Sequence, residues 1–202
     1  MDNFFKLRAD NQQHIIDSAL KVFSQNGYKK ASIGDIAEKA GISKGMITYY
    51  FGSKKTLYLY LAELCGNLLV SEMEDRFNTE TTDFFEKILA AVAVRVNMIK
   101  KYSSSISFFS TLYSENDPEV KDDVRRIISD EIGGRMSRLM AGTDLSNFKE
   151  EIDISLLNRF ISWAIEGFSR ELQGLANADQ ITSHFEDFTC CIISLKDNLC
   201  EY

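Results

Sequence analysis

Proline is almost missing from this 202-residue chain, which has a single one, Pro118, and only eleven glycines. Both residues punctuate strand-rich folds, so their scarcity excludes a collagen-like chain and favours long helices over a sandwich or barrel. No stretch approaches the roughly 18 consecutive apolar residues of a membrane span, and the N-terminal MDNFFKLRADNQQ lacks a secretory apolar core with a cleavage site. A soluble, cytoplasmic protein with no membrane partner is therefore expected. The four cysteines, Cys65, Cys190, Cys191 and Cys200, show no CxxC spacing and have only His14 and His184 beside them, so no metal site is expected. They read as buried or idle thiols, with the vicinal Cys190 and Cys191 as the one pair able to sense an oxidant. Glycine-rich phosphate loops, G-x-S-x-G and H-E-x-x-H are all lacking, so no catalytic residue and no cofactor is assigned, and the chain is not expected to be an enzyme.

What is present is 45% apolar residues, enough for a sizeable core, in helical rather than alternating spacing. An all-α fold of about nine helices is expected. The first runs from about Asn11 to Asn26, with Ile15, Ile16, Ala19, Leu20 and Phe23 facing inward and Gly27 as its stop. Two short helices follow, about Ile33 to Ala40 and Lys44 to Phe51. A long fourth helix runs from after Ser53 to about Phe77. After a polar break, helix five covers about Asp83 to Tyr102, and a short sixth ends near Ser114. In Asp117-Pro118-Glu119 the aspartate can cap and the proline can take the first helical position, predicting a seventh helix from there to about Ala141. The polar connection Gly142 to Asp153 leads to two strongly apolar helices, about Ile154 to Leu175 and Ala178 to Leu199.

The informative stretch is ASIGDIAEKAGISKGMITYYFGSKKTL, residues 31–57. Ser32 with Asp35 three residues on forms a capping-box pattern, Gly41 closes that helix, and Ser43 caps the next after a three-residue turn. That is helix-turn-helix spacing, in which small Ala37 permits close approach and Ile42 fills the angle. At 100° per residue, Lys44, Gly45, Thr48 and Tyr49 share one face of the second helix, while Met46, Ile47 and Tyr50 take the other. The first face suits a major groove. Lys44 can reach a guanine edge or phosphate, Gly45 allows close backbone approach, Thr48 can touch a thymine methyl, and Tyr49 offers a hydroxyl. Lys54 follows the cap Ser53 and adds charge beside another helix start.

SKGMITYYFGSKKTL, preceded by ALKVFSQNGYKKASIGDIAEKAGIS, resembles the DNA-binding domain of the tetracycline-repressor (TetR) family of bacterial regulators. The resemblance covers the first 60 or so residues and implies DNA contacts at Ser32, Lys44, Gly45, Thr48, Tyr49, Tyr50 and Lys54. Thr48 and Tyr50 depart from the aromatic and histidine that many members carry there, and the helical wheel turns Tyr50 inward. The resemblance further implies a three-helix head over 1–52 and an effector-binding and dimerisation body over 53–202.

In the eighth predicted helix, Ile154, Leu157, Ile161, Ala164 and Phe168 form one apolar face and Leu156, Phe160, Trp163 and Gly167 another. Two apolar faces need two partners. The ninth carries a heptad-like seam of Ile181, Phe185, Phe188, Ile192, Leu195 and Leu199. Because TetR members pair through these two helices, a homodimer interface is expected at Ile154, Ile161, Phe168, Phe185, Phe188, Ile192 and Leu195. A twofold dimer implies a palindromic double-stranded operator. The effector site implied by the family lies in the helical body, with Leu64, Met98, Tyr102, Phe108, Phe109, Leu112, Phe160 and Trp163 as candidates for a small apolar or amphipathic molecule.

The functional expectation is a ligand-responsive repressor, bacterial, cytoplasmic and nucleoid-associated when on DNA. Its alternatives are an activator, or a helical ligand-binding or interaction protein with a degenerate helix-turn-helix. A net charge of -7 argues against nucleic acid only as an average. Residues 1–60 hold nine Lys and Arg against five Asp and Glu, while residues 61–202 hold 14 against 25. A basic head sits on an acidic body.

Overall fold

The computed structural model describes residues 1–77, 82–173 and 178–201. In chain order the elements are α1 (Asp2–Phe5), α2 (Ala9–Lys30), α3 (Ile33–Lys39), α4 (Lys44–Phe51), α5 (Lys54–Arg76), α6 (Phe84–Lys101), α7 (Ser105–Leu112), α8 (Lys121–Arg126), a π-helical segment (Ile127–Gly133), α9 (Gly134–Met140), α10 (Ile154–Gln173) and α11 (Ala178–Leu199). The fold is all-α, and among the described residues β pairing is confined to the isolated bridges Asp83–Asp144 and Phe148–Cys200. The chain forms two compact units, Met1–Leu68 with Lys101–Arg135, and Leu69–Lys100 with Met136–Tyr202. The expected polar break at 78–82 falls largely outside the described residues, as does the expected end of the eighth helix at Leu175.

In the first unit, α2 buries Ile15, Ile16, Ala19, Leu20 and Phe23, the stripe its spacing predicts. Gly27 adopts φ +65°, which ends the straight run and turns the last residues of α2 back toward α3. Phe23, Tyr28, Tyr58 and Phe108 pack edge-on or tilted, with ring centroids 4.9–6.2 Å apart in each contacting pair. The predicted seventh helix is three pieces. Asp117 does act as a cap, but of a turn, its Oδ1 accepting from the Glu119 N–H at 3.0 Å, and regular helix starts only at Lys121. The widened π turn then carries buried Ile132 against Gly66 of α5, where a Cβ would overlap the Ile132 side chain.

The second unit closes on the connection that reads as a polar loop. Phe148 stacks against Phe84 and Phe85 at 5.4 and 5.5 Å, and Lys196 pairs with Asp83 at 2.8 Å. Burial by itself would raise the Asp83 carboxyl, but the Lys196 hydrogen bond and the N–H groups of α6 outweigh it and hold the group below its usual range. Lys87, buried on α6, donates to the Leu139 and Ala141 carbonyls and to Thr143 Oγ1 at 3.1–3.3 Å. It thereby satisfies carbonyls left over at the C-terminal end of α9, and burial holds its ammonium below the usual lysine range. Lys87→Met should therefore lower the urea-unfolding free energy by about 1–3 kcal/mol, because the hydrogen bonds from a charged donor to Leu139, Ala141 and Thr143 are lost. An unchanged urea midpoint would refute this role.

Candidate nucleic-acid interface

The head is built as its caps dictate. Ser32 Oγ accepts from the Asp35 N–H and Asp35 Oδ2 from the Ser32 N–H, both at 3.1 Å, a complete capping box. Gly41 takes φ +63°, which lets the chain leave α3 and lets the Ile42 N–H return to the Ala37 carbonyl at 3.0 Å. Ser43 Oγ then accepts from the Met46 N–H at 3.3 Å and starts α4. Ile47 and Phe51 face the core, while Lys44, Gly45, Thr48 and Tyr49 are exposed. The expected face is the outward face.

Hydrogen bonding fixes what this face can offer. Thr48 Oγ1 donates back to the Lys44 carbonyl at 3.2 Å, so its hydrogen is committed and its methyl and lone pairs remain for a partner. Ser32 uses its oxygen as an acceptor in the cap, leaving its hydroxyl hydrogen to give. Met46, assigned inward by the helical wheel, is 38% exposed and joins the surface.

Two expected contacts are differently employed. The Tyr50 ring is buried, only 7% exposed, with its centroid 6.1 Å from Phe4. Lys54 is half-buried and donates to the carbonyls of Tyr28 and Ala31 at 3.0 and 3.3 Å, with its ammonium 4.2 Å from the Tyr28 ring centroid. It caps the end of α2 instead of reaching outward, because carbonyls without intrahelical partners lie within its span. Burial and the carboxylates of Glu119, Asp117 and Glu115 push the Tyr28 hydroxyl up. Sequence reasoning missed α1 altogether. Phe4 is fully buried against Tyr50, Phe51 and Tyr60, and the only signal was an apolar pair, Phe4-Phe5, in a polar segment.

Among the effector candidates, Met98, Tyr102, Phe108, Phe109 and Leu112 are buried and Leu64 half-buried. Leu112 lines a cleft of about 280 Å³ with Tyr113, Glu115, Asn116, Arg125 and Ile128. Phe160 and Trp163, expected inside, are 53% and 62% exposed. Ile161 and Phe168, assigned to the dimer seam, are buried within the chain, as is Ile192 on α11, while Phe168 stacks on half-buried Phe188 at 4.6 Å. Ile154, Phe185 and Leu195 are half-buried. Ile161, Phe168 and Ile192 are thus covered by their own chain, while Leu156, Phe160 and Trp163 of α10 are exposed.

Cys65 and Cys200 are buried and Cys190 and Cys191 exposed, and burial pushes the Cys65 thiol up to about 12. Among the described residues no group of three or more His, Cys, Asp or Glu could hold a metal ion, and no helix is long and apolar enough to cross a membrane.

A capped helix-turn-helix with a polar, hydrogen-bonding face on its second helix defines a DNA-binding protein of the regulator class. Residues 15–61 match the family model described as bacterial regulatory proteins, tetR family. The chain is 23% identical over 180 residues to the HTH-type transcriptional repressor AcnR of Corynebacterium diphtheriae, covering 84% of this chain and 85% of that one. Its fold is shared with a TetR family transcriptional regulator from Chloroflexus aurantiacus, at TM-score 0.63 and 20% identity over 98% of this chain and 90% of that one. It is also shared with FadR of Bacillus subtilis solved with stearoyl-CoA, at TM-score 0.57 and 19% identity over 90% and 95% of the two chains. Residues 15–61 thus carry the helix-turn-helix of the tetR family of bacterial regulatory proteins, and the relatives and shared fold support a TetR-type DNA-binding transcriptional regulator. Since Lys54 closes the end of α2, Lys54→Met should lower the thermal midpoint while leaving the salt dependence of DNA binding unchanged. A salt slope reduced by about one, with the midpoint kept, would instead place Lys54 on phosphate.

Proposed function

We propose that this protein is a ligand-responsive repressor that binds a palindromic operator as a homodimer and releases it when a small apolar or amphipathic effector binds. The observation that carries the reading is the sorting of α4, whose Ile47, Tyr50 and Phe51 are buried while Lys44, Gly45, Thr48 and Tyr49 stand together in solvent. Residues 1–52 serve as the DNA-binding module and residues 53–202 as the effector-binding and dimerisation body. Lys44 and Thr48 read base edges, Gly45 lets the α4 backbone approach the groove, and Tyr49 and the Ser32 hydroxyl hold phosphate. Lys54 and Tyr50 act as supports, for the end of α2 and the floor of α4.

The second copy docks on α10. Leu156, Phe160 and Trp163 lie at spacings of four and three residues on one exposed helix face, and Gly167 continues it with open space above its Cα. Three large apolar side chains in one exposed row suit a self-complementary twofold contact. The effector reading is supported by the apolar candidates of the first unit and by the stearoyl-CoA bound to the FadR fold relative, an amphipathic molecule of the proposed kind. Glu115 on the rim of the cleft accepts from the Tyr58 hydroxyl of α5 at 3.0 Å, one turn beyond Lys54. An effector that displaces this rim alters the support of the helix that carries the head, and its preference for that altered state is what lowers operator affinity.

Against a duplex from the protein's own upstream region, binding should exceed that to random DNA and weaken steeply with salt. Lys44→Ala should lose about 1–3 kcal/mol of specific affinity with the dimer intact. Equal affinity for both duplexes would overturn the repressor reading. Trp163→Asp should convert dimers to monomers in sedimentation, and a dimer that survives it would exclude the α10 face as the contact.

A further inference from the structure

Asn3, in the short helix α1, donates from Nδ2 to the Tyr49 hydroxyl oxygen at 2.6 Å, joining residues 46 apart in sequence. The direction of this bond is set by a second one. Lys6 Nζ donates to Asn3 Oδ1 at 3.4 Å, and because an ammonium can only donate, the amide must turn its oxygen to Lys6 and its NH₂ to Tyr49. The phenolic oxygen is thereby used as an acceptor. Its own hydrogen must point elsewhere, and Tyr49 is 63% exposed, so that hydrogen is offered to the outside.

The backbone that carries Asn3 is held by its neighbour. Phe4 is fully buried, 4.7 Å from the Phe51 ring and 6.1 Å from Tyr50, the residue next to Tyr49. A free tyrosine would lose rotamer freedom on meeting DNA, and one already tied to an anchored asparagine has less to lose. We propose that Asn3 is a positioning residue for DNA binding, fixing Tyr49 so that its hydroxyl is presented as a donor to a phosphate oxygen of the operator. Phosphate fits because its oxygens only accept, as the orientation of the hydroxyl requires.

This role rests on the reading that α4 enters DNA, so the test begins with a duplex selected from a random-sequence pool by the wild-type protein. Affinity for that duplex is then measured for wild type, Asn3→Ala, Tyr49→Phe and the double variant, with thermal midpoints alongside. Each single substitution should weaken binding by about three- to tenfold with the midpoint of Asn3→Ala unchanged, and the double variant should bind no worse than Tyr49→Phe. A merely structural Asn3 would weaken binding just as much in the Tyr49→Phe background, and that result, or full affinity in Asn3→Ala, overturns the role of Asn3 alone. Failure of the wild type to enrich any duplex removes the DNA-binding reading and this one with it.

Discussion

The arrangement of the head depends on one ammonium group. Lys54 opens α5 and is bonded to two carbonyls at the far end of α2, with the Tyr28 ring beneath it. The chain between them is the whole helix-turn-helix, so this contact closes the corner that α3 and α4 occupy. Its energy comes from carbonyls that have no helical partner and a ring face that favours a cation, in a half-buried setting where neither is fully screened.

The polar groups around α4 are divided by role. Capping consumes the acceptor capacity of Ser32 and Ser43, and back-bonding consumes the donor of Thr48. What remains outward is a lysine, a methyl group, a hydroxyl hydrogen and bare backbone at Gly45, a set with both charge and shape for a groove edged by phosphate. Beneath it lies an aromatic floor of Phe4, Tyr50, Phe51 and Tyr60, which gives a short helix the rigidity its own hydrogen bonds cannot supply.

The head was legible because its signals are local. Ser32 with Asp35, Gly41 and Ser43 each act on their own turn, and each adopts the cap or positive φ that its position implies. The body was less legible where two apolar faces competed. Ile161 and Phe168 against Phe160 and Trp163 is a choice that spacing cannot make, since both sets repeat as a helix face should. Burial decides it by turning the first pair inward. The seventh helix failed for a similar reason: a proline at the right offset from an aspartate fits a helix start and a simple turn equally well, and the tight approach of Ile132 to Gly66 is a distant event.

By itself the sequence determined the class of fold, the position of the helix-turn-helix and the outward placing of Lys44, Gly45, Thr48 and Tyr49 on its second helix, because periodicity and capping are encoded within a few residues. It also set nine Lys and Arg against five Asp and Glu in residues 1–60 and 14 against 25 in residues 61–202. Only the tertiary structure decided that Lys54 and Tyr50 support the head, that Phe4 lies under α4, that Asn3 holds Tyr49, and which face of α10 stays open. Those assignments depend on which distant groups come within hydrogen-bond or packing distance, and no spacing along the chain contains that information.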